Sequence, residues 1–288
     1  MTVISVVIPA LNDAAMLTTC LEALAVQTRP ADEIIVVDNG STDDTAEVAR
    51  RAGARVVVEP RRGIPAATAA GFDAARATII CRLDADSVPP PEWIADIERR
   101  FESDPGLAAV TGPGRFYGAR PLVRRAGEVL YIGGYFWSMG WLLGHPPLFG
   151  SNFAISAVAW NRIRETCHRD VRQLHDDLDL SFQFTPGMRV RYDGKLVVGV
   201  SARPFGSPGG LARRLFWAYT TIATNSRERS LLDRRAERHR WARGERLFRR
   251  PVRGRRAVDR RPRHGRSRRG RIQLARGSAE PGTSQAAA

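Results

Sequence analysis

The alternation of apolar and polar positions gives the first half of the chain a regular rhythm. Val3 to Ile8 is a run rich in β-branched residues, the pattern of a strand buried on both faces. Met16 to Ala25 repeats apolar residues at Met16, Leu17, Cys20, Leu21 and Leu24, a helical period. Glu33 to Val37 is a second buried strand. Ser41-Thr42-Asp43-Asp44 then opens a helix, with Ser41 as its N-cap and Asp44 in the capping-box position. Arg55 to Val58 is a third strand, Ala66 to Arg76 an Ala-rich helix, and Thr78 to Leu83 a fourth strand. Pro91 to Phe101 reads as a helix with Pro at its start, and Leu107 to Thr111 as a fifth strand. Strands alternating with helices predict an α/β fold, a mostly parallel, doubly wound sheet flanked by helices. Such sheets bind ligands at the carboxyl ends of their strands.

After Gly118 the rhythm loosens. Val129 to Leu143 is rich in aromatics and glycine, Phe149 to Ile155 reads as a return to the sheet, and Val158 to Thr166 and Asp177 to Phe184 as short helices. Arg189 to Tyr192 and Lys195 to Val200 suggest a hairpin over Asp193-Gly194. Leu211 to Thr224 is a last amphipathic helix. From Arg227 onward apolar periodicity gives way to Arg, Gly, Pro and Ala, a composition expected to be disordered. The expected organisation is one domain over residues 1–226, with a nucleotide-binding half to about 118 and an acceptor half after it, and a tail over 227–288.

Charge sharpens that boundary. The net charge is +15, yet residues 1–226 hold 24 basic and 24 acidic residues, so the whole excess follows Ser226. A neutral body argues against nucleic acid as the partner. The chain has a single Lys (Lys195) against 44 Arg, the bias of a GC-rich coding sequence. Either a genuine basic tail or a frameshifted end of such a gene fits the last segment. Cys20, Cys81 and Cys167 make neither a disulfide framework nor a zinc spacing, which suits a reducing, cytoplasmic setting. No apolar run reaches the roughly 20 residues that span a bilayer. The aromatic stretch over residues 131–149 could be core, or could lie on a membrane surface, where Trp and Tyr are favoured.

Three acidic constellations carry candidate chemistry. Asp84-Ala85-Asp86 follows the fourth strand, where two carboxylates can face one hard divalent cation such as Mg²⁺ or Mn²⁺, shared with substrate phosphates. Asp38 ends the second strand ahead of Asn39-Gly40-Ser41 and can accept hydrogen bonds from a base or ribose. Asp176 and Asp177 open a helix in His175-Asp176-Asp177-Leu178-Asp179. The bland alternatives are a solvated turn, a capped turn and an acidic helix start that favours the dipole.

Taken in order, "SVVIPALNDAAMLTTCLEAL", "DEIIVVDNGSTDDT" and "RLDADS" resemble the family 2 glycosyltransferases, inverting enzymes of the GT-A fold. The resemblance covers about residues 3 to 200. It implies that Asp38 binds the nucleotide base, that residues around Pro9, Ala10 and Asn12 contact the nucleotide, and that Asp84, Ala85 and Asp86 hold ribose and, through the metal, the diphosphate. Asp177 becomes the catalytic base beside Asp176. Gly150-Ser151-Asn152 lines the sugar and acceptor site, and Arg203 lies near the diphosphate. The segment "RRGIPAATAAGFDAA" resembles the family's Gly-rich helix start, which implies that Gly63 contacts the substrate. Two departures stand out: Asp-Asn-Gly-Ser replaces the frequent Asp-Asp-Gly-Ser, and the segment around Gly63 lacks a frequent Arg-Asn. The implied partners are a UDP-, GDP- or dTDP-sugar and an acceptor that is lipid-linked, a polysaccharide or a small molecule. The implied location is the cytoplasm, with peripheral contact at the inner face of the plasma membrane. The rivals are a nucleotidyltransferase, disfavoured because Ala10-Leu11-Asn12-Asp13 holds neither Gly nor a basic residue, and a non-catalytic binding protein.

Overall fold

The computed structural model describes residues 2–203 and 208–242. Strands β1 (Ile4–Ala10), β2 (Glu33–Asp38), β3 (Arg55–Val58), β4 (Ile79–Arg82) and β5 (Leu107–Thr111) alternate with helices α1 (Ala14–Ala25), α2 (Thr45–Arg51), α3 (Ile64–Ala74) and α4 (Trp93–Ser103). These elements lie within a few residues of those expected from the sequence. Then come β6 (Gly114–Tyr117), α5 (Pro121–Ala126), a π-helical segment (Gly127–Gly133), α6 (Gly134–Leu143), β7 (Phe153–Ser156), α7 (Ala157–Ile163) and α8 (Asp176–Gln183). The described chain closes with β8 (Arg189–Tyr192), β9 (Val198–Ser201), α9 (Pro208–Glu228) and α10 (Leu231–Ala242).

Seven strands form one sheet in the order β3-β2-β1-β4-β7-β5-β8, in which only β7 runs antiparallel to its neighbours. Val6, Ile8, Val36 and Cys81 face one side and pack with Leu17, Leu21, Trp93 and Ile97. Val7, Ile35, Val37 and Ile80 face the other and pack with Phe72, Trp160 and Ile163. Burial on both faces is why these strands read as continuous apolar runs. Gly71 lets α3 sit close to the sheet, since a Cβ there would meet Val7 Cγ1 at 2.3 Å and Val37 Cγ2 at 2.7 Å.

Four expectations need correction. Ser41 does not cap α2. Its N–H is held by Asp38 Oδ1 (2.8 Å) and its hydroxyl accepts from Asn12 N (3.0 Å), so it ties two loops together. The helix begins at Thr45, where Asp43 Oδ1 accepts from Thr45 N. Pro91 lies ahead of α4, because its carbonyl is engaged by Thr28 N and Trp93 N bonds back to Pro90 O. Arg189–Tyr192 and Val198–Ser201 are not a hairpin. β8 pairs parallel with β5, and β9 pairs parallel with β6 in a separate two-stranded sheet. Long-range pairing outcompetes the Asp193-Gly194 turn: β8 stays in the main sheet beside β5, and the chain then crosses to the smaller sheet, where β9 pairs with β6. Finally, α9 runs through Arg227 and α10 follows it, packing against α6, so the expected tail begins within helical residues. Its remainder, and the expectation of disorder there, lies outside the described residues.

Candidate active site

The carboxyl ends of β1, β2 and β4 share one edge of the sheet, as parallel pairing requires. At the first, Asn12 takes a left-handed conformation (φ 52°). Its Oδ1 accepts from Thr42 N (2.7 Å), and Asn39 N bonds to Ala10 O (3.0 Å), so the loops after β1 and β2 are clasped. Asp38 is buried, and its Oδ1 accepts from Ser41 N (2.8 Å) in the same loop. Asn39 Oδ1 receives Gly63 N (2.8 Å), which brings the start of α3 to the same edge. Gly63 has φ 137°, and a Cβ there would lie 3.2 Å from the Arg172 backbone. Pro9 is half-buried, while Ala10 and Ala85 are core residues.

The insertion of β7 between β4 and β5 decides the next layer. Arg82 pairs with Phe153 across the ladder, so residues 150–152 arrive beside Asp84. Ser151 Oγ donates to Asp84 Oδ2 (2.5 Å), and Arg82 donates to Asp84 Oδ1 (2.6 Å). Across the site, α8 delivers Asp176 and Asp177 from its first turn. Asp176 Oδ2 meets Arg82 at 3.0 Å and accepts from Thr68 Oγ1 at 2.6 Å. Asp177 Oδ2 accepts from Gly150 N at 2.7 Å. A Cβ on Gly150 would approach Arg82 Nη1 at 2.7 Å and Asp177 Oδ2 at 3.1 Å, so only glycine lets these groups converge.

Arg82 is therefore the hub. It is 1% exposed, reaches Asp84, Asp176 and the Gly150 carbonyl, and its Nε has no partner among the described residues. Burial opposes its charge, but Asp176 and Asp84 outweigh that, and the guanidinium stays charged. The sequence carried one unused signal for it: a charge inside the buried run "IICRL", which demands acidic partners.

The two acids of Asp84-Ala85-Asp86 differ. Burial works against ionisation of Asp84, yet Arg82 and the Ser151 hydroxyl hold it below the usual carboxylate range. Burial, with Asp84 as a like charge, raises Asp86 instead, against the pull of Arg203. Arg203 spans Asp86 (3.0 Å) and Asp13 (2.7 Å). Asp177 is also raised above 3.8, first by burial and then by Asp176. Among the described residues no cluster of three or more His, Cys, Asp or Glu could hold a metal by protein ligands alone. Two neighbouring carboxylates do fit Mg²⁺ or Mn²⁺, which commonly takes one or two carboxylates and completes its shell with phosphate and water. Among the described residues the Asp86 carboxylate pairs only with the half-exposed Arg203, whereas Asp84 is held by both Arg82 and Ser151.

Asn152 behaves differently from its neighbours. It is wholly buried, its Nδ2 donates to Leu196 O (2.6 Å) and Pro113 O (3.1 Å), and its Oδ1 accepts from Trp93 Nε1 (2.9 Å). The side chain stitches the segments leading to β6 and β9 and does not face the site. His175 donates from Nε2 to Arg214 O (2.9 Å) and packs on Trp217, which ties it to α9.

An uncharacterized glycosyltransferase of Mycobacterium tuberculosis is 40% identical over 133 residues, 44% of this chain and 56% of that protein. An undecaprenyl-phosphate 4-deoxy-4-formamido-L-arabinose transferase of Pseudomonas aeruginosa is 37% identical over 107 residues, covering 34% of this chain and 32% of its own. The chain thus spans about half or less of the length of these curated relatives. Among solved structures, a mannosyltransferase of Pyrobaculum calidifontis in complex with GDP-Man and Mn²⁺ superposes with a TM-score of 0.62, at 20% identity over 83% of this chain and 70% of that one. Glucosyl-3-phosphoglycerate synthase of Mycobacterium tuberculosis in complex with UDP gives 0.52, at 25% identity over 81% and 80%. The fold is the GT-A α/β arrangement, with a mostly parallel seven-stranded sheet. The model of glycosyl transferase family 2 matches residues 5–156, more than half of the sequence, and the chain belongs to that family.

Proposed function

We propose that the protein transfers a sugar, with inversion, from a nucleoside-diphosphate sugar to an acceptor hydroxyl. The observation that carries the reading is the convergence, around one buried arginine, of the Asp84–Asp86 pair, the Gly150–Ser151 segment and the Asp176–Asp177 pair. Asp38, with the clasped loops at Pro9, Ala10 and Asn12 and the Gly63 turn, binds the nucleoside. Asp84 and Ser151 position the ribose and diphosphate. Asp86, with Asp84, holds Mg²⁺ or Mn²⁺, which when bound stabilises negative charge on the departing diphosphate.

Asp177 is the base. Inverting transfer needs one carboxylate within hydrogen-bond reach of the acceptor hydroxyl. The raised proton affinity of Asp177 suits it to take that proton. Asp176, bound to Arg82 and Thr68, keeps α8 in place. Solved neighbours that carry UDP, or GDP-Man with Mn²⁺, support the choice of ligands. The acceptor favoured here is a lipid-linked or cell-envelope glycan at the cytoplasmic side, a setting in keeping with the free cysteines.

Calorimetry with UDP, GDP and dTDP, each with and without Mn²⁺, tests the site. One nucleotide should bind in a Mn²⁺-dependent manner, and Asp86→Ala should weaken it by at least about tenfold. That substitution leaves every partner of Arg82 in place. Failure of all three nucleotides to bind the folded protein overturns the reading.

A further inference from the structure

From Pro121 to Leu143 the chain follows one helical path. Ala126, Gly127, Gly133 and Gly134, at the joints of α5, the π segment and α6, all hold right-handed helical dihedrals. The inner side of this path is committed. Ile132 and Leu143 are buried, Phe136 packs on Tyr192, and Tyr135 donates its hydroxyl to Leu148 O (2.6 Å). Among the described residues the outer side is largely exposed. Leu122, Leu130, Trp137 and Trp141 recur there with helical spacing and are 82, 76, 77 and 64% exposed. Exposed apolar side chains are ordinary singly, but an aligned row with two tryptophans marks a contact surface.

Charge identifies the occupant. Between Arg120 and Gly144 the charged residues are Arg120, Arg124, Arg125 and Glu128. The arginines are exposed, whereas Glu128 accepts inward from Phe116 N. At the far end Arg235 lies 4.4 Å over the Trp141 ring and donates to its carbonyl. The face is thus apolar, aromatic and cationic. A second copy of the chain, docked about a two-fold axis, would bring the same arginine-bearing surface against itself. An anionic lipid surface complements both features. Trp favours the interface, and each basic side chain gains from acidic headgroups. No helix among the described residues is long and apolar enough to cross a membrane, so contact would lie in the surface plane.

We propose that the outer face of residues 121–143 docks on an anionic bilayer. The same helix reaches the candidate site from its inner side. Tyr135 and Phe136 pack on Phe149, and the next residue, Gly150, bonds to Asp177. Docking would therefore set Asp177 close to the lipid surface, where a membrane-presented acceptor would meet it.

Vesicle flotation tests the proposal without any nucleotide. The full chain is mixed with phosphatidylglycerol/phosphatidylcholine vesicles or with phosphatidylcholine alone. Leu130→Ser/Trp137→Ser/Trp141→Ser is compared after circular dichroism has shown both proteins equally folded. The wild type should float with the anionic vesicles, and the variant's partition coefficient should fall at least about tenfold. No flotation with either lipid would overturn the proposal. Equal flotation of both proteins would overturn it too, since the arginines after Ser226 would then do the binding. So would a lipid-free dimer that the substitutions dissolve, because the face would then belong to a second copy.

Discussion

The chain's two halves solve different problems. Residues 2–118 build most of the sheet from strands that pair with near neighbours in sequence, and their acids surface where parallel strands end. Residues 119–242 supply β7, β8 and β9, each of which pairs with strands of the first half or their extensions. Their other contribution is helical, with large apolar faces left open. Ligand chemistry in the first half follows from topology alone. In the second it depends on contacts between residues far apart, such as Gly150 with Asp177, or Arg82 with Asp176.

The comparison can be broken at its junction. Removing the Arg82 guanidinium by Arg82→Met leaves Asp84 and Asp176 without their shared cation. Urea unfolding should show a loss of about 3–5 kcal/mol, the cost of orphaning buried charge. Mere surface-scale loss would mean the two halves are not joined through this residue. Asp177→Asn separates the halves by function. It should cut kcat by about 10²–10⁴-fold while calorimetric nucleotide affinity stays near that of wild type. Loss of nucleotide affinity instead would assign Asp177 to the first half's task. Gly71→Ala probes the first half alone: helix propensity improves, but the new methyl meets Val7 and Val37, for a net loss of about 1–3 kcal/mol.

The smallest effect lies in the second half. His168 Nδ1 bonds to Asp179 Oδ1 (2.6 Å), and that partner raises its pKa above 6.5, with burial opposing. A raised folded pKa stabilises below the unfolded value and ceases to do so as pH climbs through the folded one. The melting temperature should therefore fall as pH rises above the unfolded value of about 6.5, and His168→Gln should flatten the fall. An unchanged slope in the variant would place the titration elsewhere.

The sequence made β1, β2 and β5 legible because burial on both faces writes itself as an unbroken apolar run. It made Asp38, Asp84 and Asp86 legible because they stop such runs. Ser41 misled because a serine ahead of a helix can equally tie one loop to another, and the loop partner, Asn12, lies in a different element. The supposed hairpin failed for a related reason: Asp193-Gly194 has turn chemistry, but β5 and β6 offer better partners. Asn152 looked like part of a ligand-lining segment, and its task of stitching Pro113 to Leu196 has no local signature. Arg82 went unread because its meaning rests on Asp176, which only folding brings near.

That dependence has a consequence for how the chain matures. As the polypeptide leaves the ribosome, the strand bearing Arg82 emerges well before the helix bearing Asp176. Until α8 arrives, Asp84 is the sole carboxylate partner available to a guanidinium about to be sealed from water. The first half is thus held short of completion during synthesis. A fragment ending near residue 118 should be a poor substitute for the whole, prone to engage chaperones, despite carrying every nucleotide-site motif that precedes the acidic pair.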